Sequence, residues 1–239
     1  MLKNFCVMAA LSGLLIVAGP VNAAEEEEGF SGRVGLGYIA ASGNSDSKSA
    51  NGAFDLLWNY EPWRHSLSGT AIKSSTSGVT TAEAFGITGQ SKYDFSEHSY
   101  LFGLLAFNSD EFSVIDKQTR AAVGYGRRLI DTDKHVLSVE AGVGQRWADL
   151  RDGTSEDEII FRAAGDYLWQ ITETSKFTQT LSVESGSSNT YTEAVSAVNA
   201  NILDTLALVL SFTVKHNSDV LPGIDKTDTL TAISLEYTF

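Results

Sequence analysis

The stretch Thr229-Leu230-Thr231-Ala232-Ile233-Ser234-Leu235-Glu236-Tyr237-Thr238-Phe239 narrows the choice of fold more than any other. Counting back in twos from Phe239 gives Tyr237, Leu235, Ile233 and Thr231. Thr238, Glu236, Ser234, Ala232 and Leu230 fall between them. A period of two marks a β-strand whose faces meet different surroundings. One face is apolar and ends in aromatic rings; the other is mostly small or polar. A soluble sheet can carry such a strand. A strand of this length that ends its chain on Phe, behind an export signal, points to a transmembrane β-barrel.

The export signal is read at the other end. Lys3 supplies positive charge, Phe5 to Ala18 is a nearly unbroken apolar run, and Val21-Asn22-Ala23 is a small-residue cleavage site. The mature chain is expected to begin at Ala24. The run is shorter than the ~20 residues of a spanning helix, and no later stretch could form one. Cys6 is the only cysteine and lies in the signal, so the mature chain has neither disulfide nor thiol chemistry. Without Lys3, 16 basic residues stand against 30 acidic ones, a net charge of −14. That argues against nucleic acid as a partner and suits acidic loops on a Gram-negative surface.

The organisation expected is a signal over 1–23, an acidic periplasmic lead-in over 24–29 and a barrel over 30–239. Roughly 215 residues, at ~17–18 per strand and turn, allow about twelve strands of ~9–11 membrane-spanning residues. Alternating segments are expected near 30–41, 48–60, 65–75, 82–95, 99–107, 115–129, 135–147, 158–170, 176–185, 190–202 and 206–216, with the twelfth closing the chain. Outward sets are clearest in 48–60 (Phe54, Leu56, Trp58, Tyr60), 135–147 (Leu137, Val139, Ala141, Val143, Trp147) and 206–216 (Leu206, Leu208, Leu210, Phe212, Val214). Trp58, Tyr60 and Trp63 suit an aromatic girdle. Segment 99–107 is apolar on both faces and 190–202 is poorly patterned, so their registers stay open. Ser42–Asp46, Glu61–Arg64, 76–81, 108–114, 149–157 and 217–226 are read as turns or loops. An even count and short loops describe a single all-β antiparallel barrel with both mature ends in the periplasm.

Ser42-Gly43-Asn44-Ser45, Gly124-Tyr125-Gly126-Arg127-Arg128, Glu140-Ala141-Gly142-Val143-Gly144, and the close from Lys226-Thr227-Asp228-Thr229 through Leu235 to Phe239 occur in an order that resembles the YdiY-like salt-induced outer-membrane proteins. The likeness covers essentially the whole mature chain. It implies an outer-membrane barrel of unknown function with a link to osmotic conditions. It brings no catalytic residues. By the same resemblance, Tyr237 and Phe239 form the C-terminal signal read by the barrel assembly machinery.

Strand parity places Arg120, Arg128, Glu140, Arg146, Arg162 and Asp166 on the inner wall of three neighbouring strands. Arg33, Asp55, Lys92, Asp94, Glu184, Lys215 and Glu236 add both signs around the ring. An unpaired buried ion costs several kcal/mol. These charges therefore either line a water-filled constriction that selects small solutes or form a salt-bridge ladder that fills a narrow barrel. About 8 strands leave an interior packed by side chains and about 16 leave a channel; twelve lies between. The expected role is a passive pore or a structural envelope component, with outer-membrane lipids and lipopolysaccharide as surroundings.

Other chemistry is thinner. His216 and Ser218 share a strand parity, on the lipid face at the outer rim. A His that takes a Ser proton is half of a lipid hydrolase, but no orienting group or oxyanion donor can be named beside it. His65, His98, His135 and His216 are scattered. Asp149, Asp152, Glu156, Asp157 and Glu158 match no calcium-loop spacing and are read as solvated loop acids. Gly35-x-Gly37, Gly124-x-Gly126 and Gly142-x-Gly144 lie inside strands, where glycine lets a sheet bend, so they cradle no phosphate. No cofactor is expected.

Overall fold

A computed structural model describes residues 28–41, 47–111, 115–220 and 225–239. The signal, its cleavage site, the start of the lead-in and the Ser42–Asp46 turn lie outside the described residues. Every regular element described is a strand: β1 (Gly29–Ala41), β2 (Ser47–Tyr60), β3 (Trp63–Thr76), β4 (Val79–Ser96), β5 (Ser99–Asp110), β6 (Ile115–Asp131), β7 (His135–Leu150), β8 (Ser155–Thr172), β9 (Ser175–Ser185), β10 (Thr190–Leu203), β11 (Leu206–Asn217) and β12 (Thr227–Thr238). Each pairs antiparallel with its sequence neighbours, and β12 returns to β1 to close the barrel. Closure leaves no free sheet edge at the seam over Gly32–Leu36 and Leu235–Phe239, where Gly32 and Phe239 exchange both backbone hydrogen bonds at 2.9 Å.

The strands run further than alternation alone suggested. Trp63 and Arg64, read as turn, belong to β3 because Tyr60 pairs with Trp63 and Asn59 with Arg64. The loop read over 149–157 shrinks to a short turn, since β7 reaches Leu150 and β8 starts at Ser155. Hairpin hydrogen bonds continue past the apolar belt, where side-chain hydropathy no longer alternates.

Parity sorts the wall into two surfaces. Outward residues form an exposed apolar coat that includes Leu36, Phe85, Leu105, Val123, Phe161, Leu210, Ile233 and Tyr237. Aromatic rings gather where the short turns are: Phe30 lies 5.3 Å from Trp58 and 6.1 Å from Phe239, and Trp63 lies 5.0 Å from Tyr93. Inward residues hold the buried charges and a small apolar fill of Ile72, Ala106, Ile160 and Leu168.

Packing settles the two open registers. Tyr100, Phe102 and Ala106 of β5 face inward and are almost fully buried. They lie against a hollow left by glycines: a Cβ on Gly126 would sit 2.2 Å from the Tyr100 ring, and one on Gly124 would sit 2.7 Å from Phe102 and 2.3 Å from the Ala141 carbonyl. β10 turns Glu193, Val195, Ala197 and Asn199 inward, all buried. Its outward face sets the small or polar Thr192, Ala194, Ser196 and Ala200 beside Val198 and Ile202, which blurred the alternation.

Candidate functional site

Inward charges on separate strands meet in five groups. Near the aromatic end, Arg64 on β3 donates to Asp94 on β4 at 2.6 and 2.8 Å. Arg128 on β6 reaches the same carboxylate at 3.3 Å and the Glu97 carbonyl at 2.7 Å.

Midway, Glu140 on β7 is a hub. Lys92 on β4 contacts it at 2.9 Å and Arg162 on β8 at 2.8 Å. Gln90 and the Tyr100 hydroxyl donate to it at 3.1 and 3.2 Å. Only 2% of its side chain is exposed. The Lys92 ammonium lies 4.9 Å from the Tyr100 ring centre, and the Arg162 guanidinium 5.5 Å from that of Phe102, geometries in which a ring face attracts a cation. Asp166 accepts from the Thr180 hydroxyl at 3.0 Å.

Further along, Arg120 on β6 donates to both oxygens of Glu184 on β9 at 2.9 and 3.0 Å, and to Asn108 at 3.0 Å. Arg146 pairs with Glu158. Glu158 also accepts from the Ser187 hydroxyl and from the Ser188 hydroxyl and N–H. On the other wall, Arg33 holds Asp55 at 3.0 Å and Glu236 at 3.7 Å.

All of the inward charges expected from sequence in this set face the lumen. Five of these ion pairs join neighbouring strands as a ladder does, namely Arg33–Asp55, Arg33–Glu236, Arg64–Asp94, Arg146–Glu158 and Arg162–Glu140, and the others reach further. Lys92–Glu140 and Arg120–Glu184 each link strands three apart, a quarter of the ring of twelve. These side chains span the curved interior as chords. Asp94, Glu140, Glu158 and Glu184 each receive several charge-assisted hydrogen bonds, as a buried ion requires.

Sequence reading missed three members. Arg64 was taken as turn, although it shares the parity of Ser66 and Ser68. Glu158 was counted among solvated loop acids; the structure buries it against Arg146 because β8 begins three residues earlier. Tyr100 had no polar signal in an apolar segment. The exposed Asp152 fits the loop reading. Its carboxyl is held below the usual carboxylate range by the Thr154 hydroxyl at 2.6 Å and the Thr154 N–H at 2.9 Å.

His216 and Ser218 have separate partners. His216 Nδ1 lies 2.8 Å from the Thr227 hydroxyl. Ser218 lies beyond the end of β11, where its hydroxyl donates to Asn189 at 3.1 Å and accepts the Thr190 N–H at 2.8 Å. The hydroxyl proton therefore points to an amide carbonyl and away from an imidazole. Among the described residues, no group of three or more His, Cys, Asp or Glu is arranged to hold a metal ion.

A closed antiparallel barrel with an apolar coat and a charged interior is the architecture of bacterial outer-membrane proteins, and solved structures of that class share the fold. The translocator domain of the autotransporter NalP from Neisseria meningitidis superposes with a TM-score of 0.56, at 11% identity over 91% of each chain. The NanC porin gives 0.50, at 9% identity over 87% of this chain and 97% of its own. Residues 34–239 match the family described as "Protein of unknown function, DUF481", and the chain belongs to that family. The uncharacterized protein YdiY of Escherichia coli (strain K12) is 30% identical over 215 residues, 90% of this chain and 85% of that one.

Proposed function

We propose that this is a non-enzymatic barrel of the Gram-negative outer membrane, delivered there by a cleaved signal, whose lumen is braced shut to solutes of sugar size. The observation that carries this reading is the pairing of lumen charges across the ring, above all Lys92–Glu140–Arg162 and Arg120–Glu184. A porin that attracts solutes needs unpaired charge facing water. Here Asp55, Glu140, Glu158, Glu184 and Glu236 are all buried, and all but 9% of Arg33 is covered. The barrel then acts as an envelope component that passes no more than small ions. The exposed coat gives it lipid and lipopolysaccharide as neighbours, and Tyr237 and Phe239 offer the assembly machinery its recognition signal. A link to osmotic conditions rests on family resemblance. The engaged Ser218 hydroxyl supports a role without catalysis.

The test is single-channel recording of the refolded mature protein in a planar bilayer, with heat-modifiable gel migration as the folding control. The parent protein is expected to be silent or to show only the smallest steps. Combined Arg120→Ala and Arg162→Ala substitutions are expected to open resolved steps. Large discrete steps in the parent protein would overturn the reading.

A further inference from the structure

Every arginine but one has a partner inside the protein. Those of the lumen groups all hold carboxylates, and Arg151 donates to the Asp110 carbonyl at 3.4 Å. Arg127 on β6 shares the outward parity of Val123 and Tyr125 and is exposed. It forms no ion pair and no side-chain hydrogen bond among the described residues. Its chain neighbour Arg128 points the other way and joins the lumen group of Asp94.

Register sets the depth of Arg127. It lies directly opposite Ser99, the first residue of β5, a placement that brings the two Cβ atoms to about 4.5–5.5 Å. The tight turn Glu97–His98 adjoins it, with the Arg128 N–H bonded to the His98 carbonyl at 2.9 Å. On the same outer face the rings of Phe95 and Tyr125 lie 6.2 Å apart. Outward aromatic rings at the rim of a barrel mark the headgroup boundary. The Tyr125 hydroxyl lies 2.9 Å from Ser99 Oγ. That bond uses one of the two hydroxyl protons, and neither oxygen has another partner among the described residues. Glu97, the acid of the adjoining turn, does not compete: 89% of its side chain is exposed, and its carboxylate lies 3.9 Å from the His98 ring.

A guanidinium on the lipid face is costly in hydrocarbon and is tolerated close to the headgroups. Its planar fork fits two oxygens of a phosphate, and the spare hydroxyl proton beside it supplies a further donor. We propose that Arg127, Tyr125 and Ser99 form a site for the phosphate diester of a phospholipid in the periplasmic leaflet. The inference rests on the outer-membrane reading above, which sets both chain ends, and with them the Glu97–His98 turn, in the periplasm. The acyl chains run up the outer wall over Leu101 and Leu105, which are 52% and 61% exposed. Between them lies Gly103, where an added Cβ would meet nothing within 4 Å. Bulk water is the competing partner of the guanidinium. It would give Arg127 no preference between a phospholipid and the same lipid without its phosphate.

The probe is dioctanoyl phosphatidylglycerol, with dioctanoylglycerol as the same lipid without phosphate. Each is titrated into the full mature barrel, refolded in detergent micelles and checked by heat-modifiable migration, and bound lipid is counted by native mass spectrometry. The parent protein should retain a single phospholipid in preference to dioctanoylglycerol. Arg127→Gln should weaken retention about tenfold, as loss of a charge-assisted contact does, and Arg127→Lys should recover part of it. Tyr125→Phe should weaken it about threefold. Lys134→Gln, which removes a cation from the next turn at the same end, should leave it unchanged. Equal retention of the two lipids by the parent protein, or an unchanged affinity in Arg127→Gln, overturns the site in favour of water. An equal loss in Arg127→Gln and Lys134→Gln overturns it in favour of diffuse charge. Displacement by an equal concentration of inorganic phosphate overturns the lipid in favour of the free ion. A parent barrel that fails to insert into bilayers overturns the outer-membrane reading and the site together; one that inserts and shows no preference overturns the site alone.

Discussion

Neutralising the central carboxylate tests the lumen network most sharply. In Glu140→Gln the shape is kept and the charge is lost. Lys92 at 2.9 Å and Arg162 at 2.8 Å then share no anion, although Gln90 and Tyr100 still find a polar partner. Lys92 is 20% exposed and Arg162 11%, so water compensates only in part. Removing one partner of a buried ion pair costs about 3–5 kcal/mol, because the remaining charges stay buried and uncompensated. At 1.4 kcal/mol per decade, that is roughly 10²- to 4 × 10³-fold in the folding equilibrium. Urea unfolding of the refolded barrel in lipid vesicles, followed by the fluorescence of its 4 tryptophans, reads it directly. Removing the whole group with Lys92→Met, Glu140→Leu and Arg162→Met should recover most of the loss, since an apolar replacement of similar volume is often neutral. A Glu140→Gln cost under about 1 kcal/mol would refute the argument, since pairs worth that little behave as exposed ones.

Three further outcomes are expected. Gly126→Val should cost about 1–3 kcal/mol by overpacking, because its Cβ meets the Tyr100 ring; adding Tyr100→Ala should return part of it in the same urea assay. Phe239→Ala removes a ring that packs on Phe30 and Tyr237. It should lower the folded yield in cells more than refolding in vitro, measured as the heat-modifiable fraction on gels. Parent protein and Ser218→Ala should both leave a fluorogenic phospholipid intact; hydrolysis by the parent that Ser218→Ala abolishes would restore a catalytic role for that hydroxyl.

Much of this architecture is legible in the chain because a barrel wall has only two environments. Alternation named the outward set of β7 and β11 and the inward Arg120, Glu140, Arg146 and Arg162 without any knowledge of neighbours. The rule fails where both faces carry the same chemistry. Tyr100 and Leu101 are both apolar neighbours on β5, and only the glycine hollow of β6 and β7 decides which goes inside. It fails on β10, whose outer face holds Thr192, Ala194 and Ser196 in place of large apolar residues.

Side-chain parity is a local property, set by the pleat of one strand, so sequence suffices for inside and outside. Which charge meets which depends on stagger and curvature, which no single strand contains. Lys92 reaches Glu140, and Arg120 reaches Glu184, only because closing twelve strands brings together positions 48 and 64 residues apart in the chain. The same closure leaves β1 and β12 joined over a short stretch and parted above it. That feature arises from two chain ends meeting in space, and neither end carries a trace of it alone.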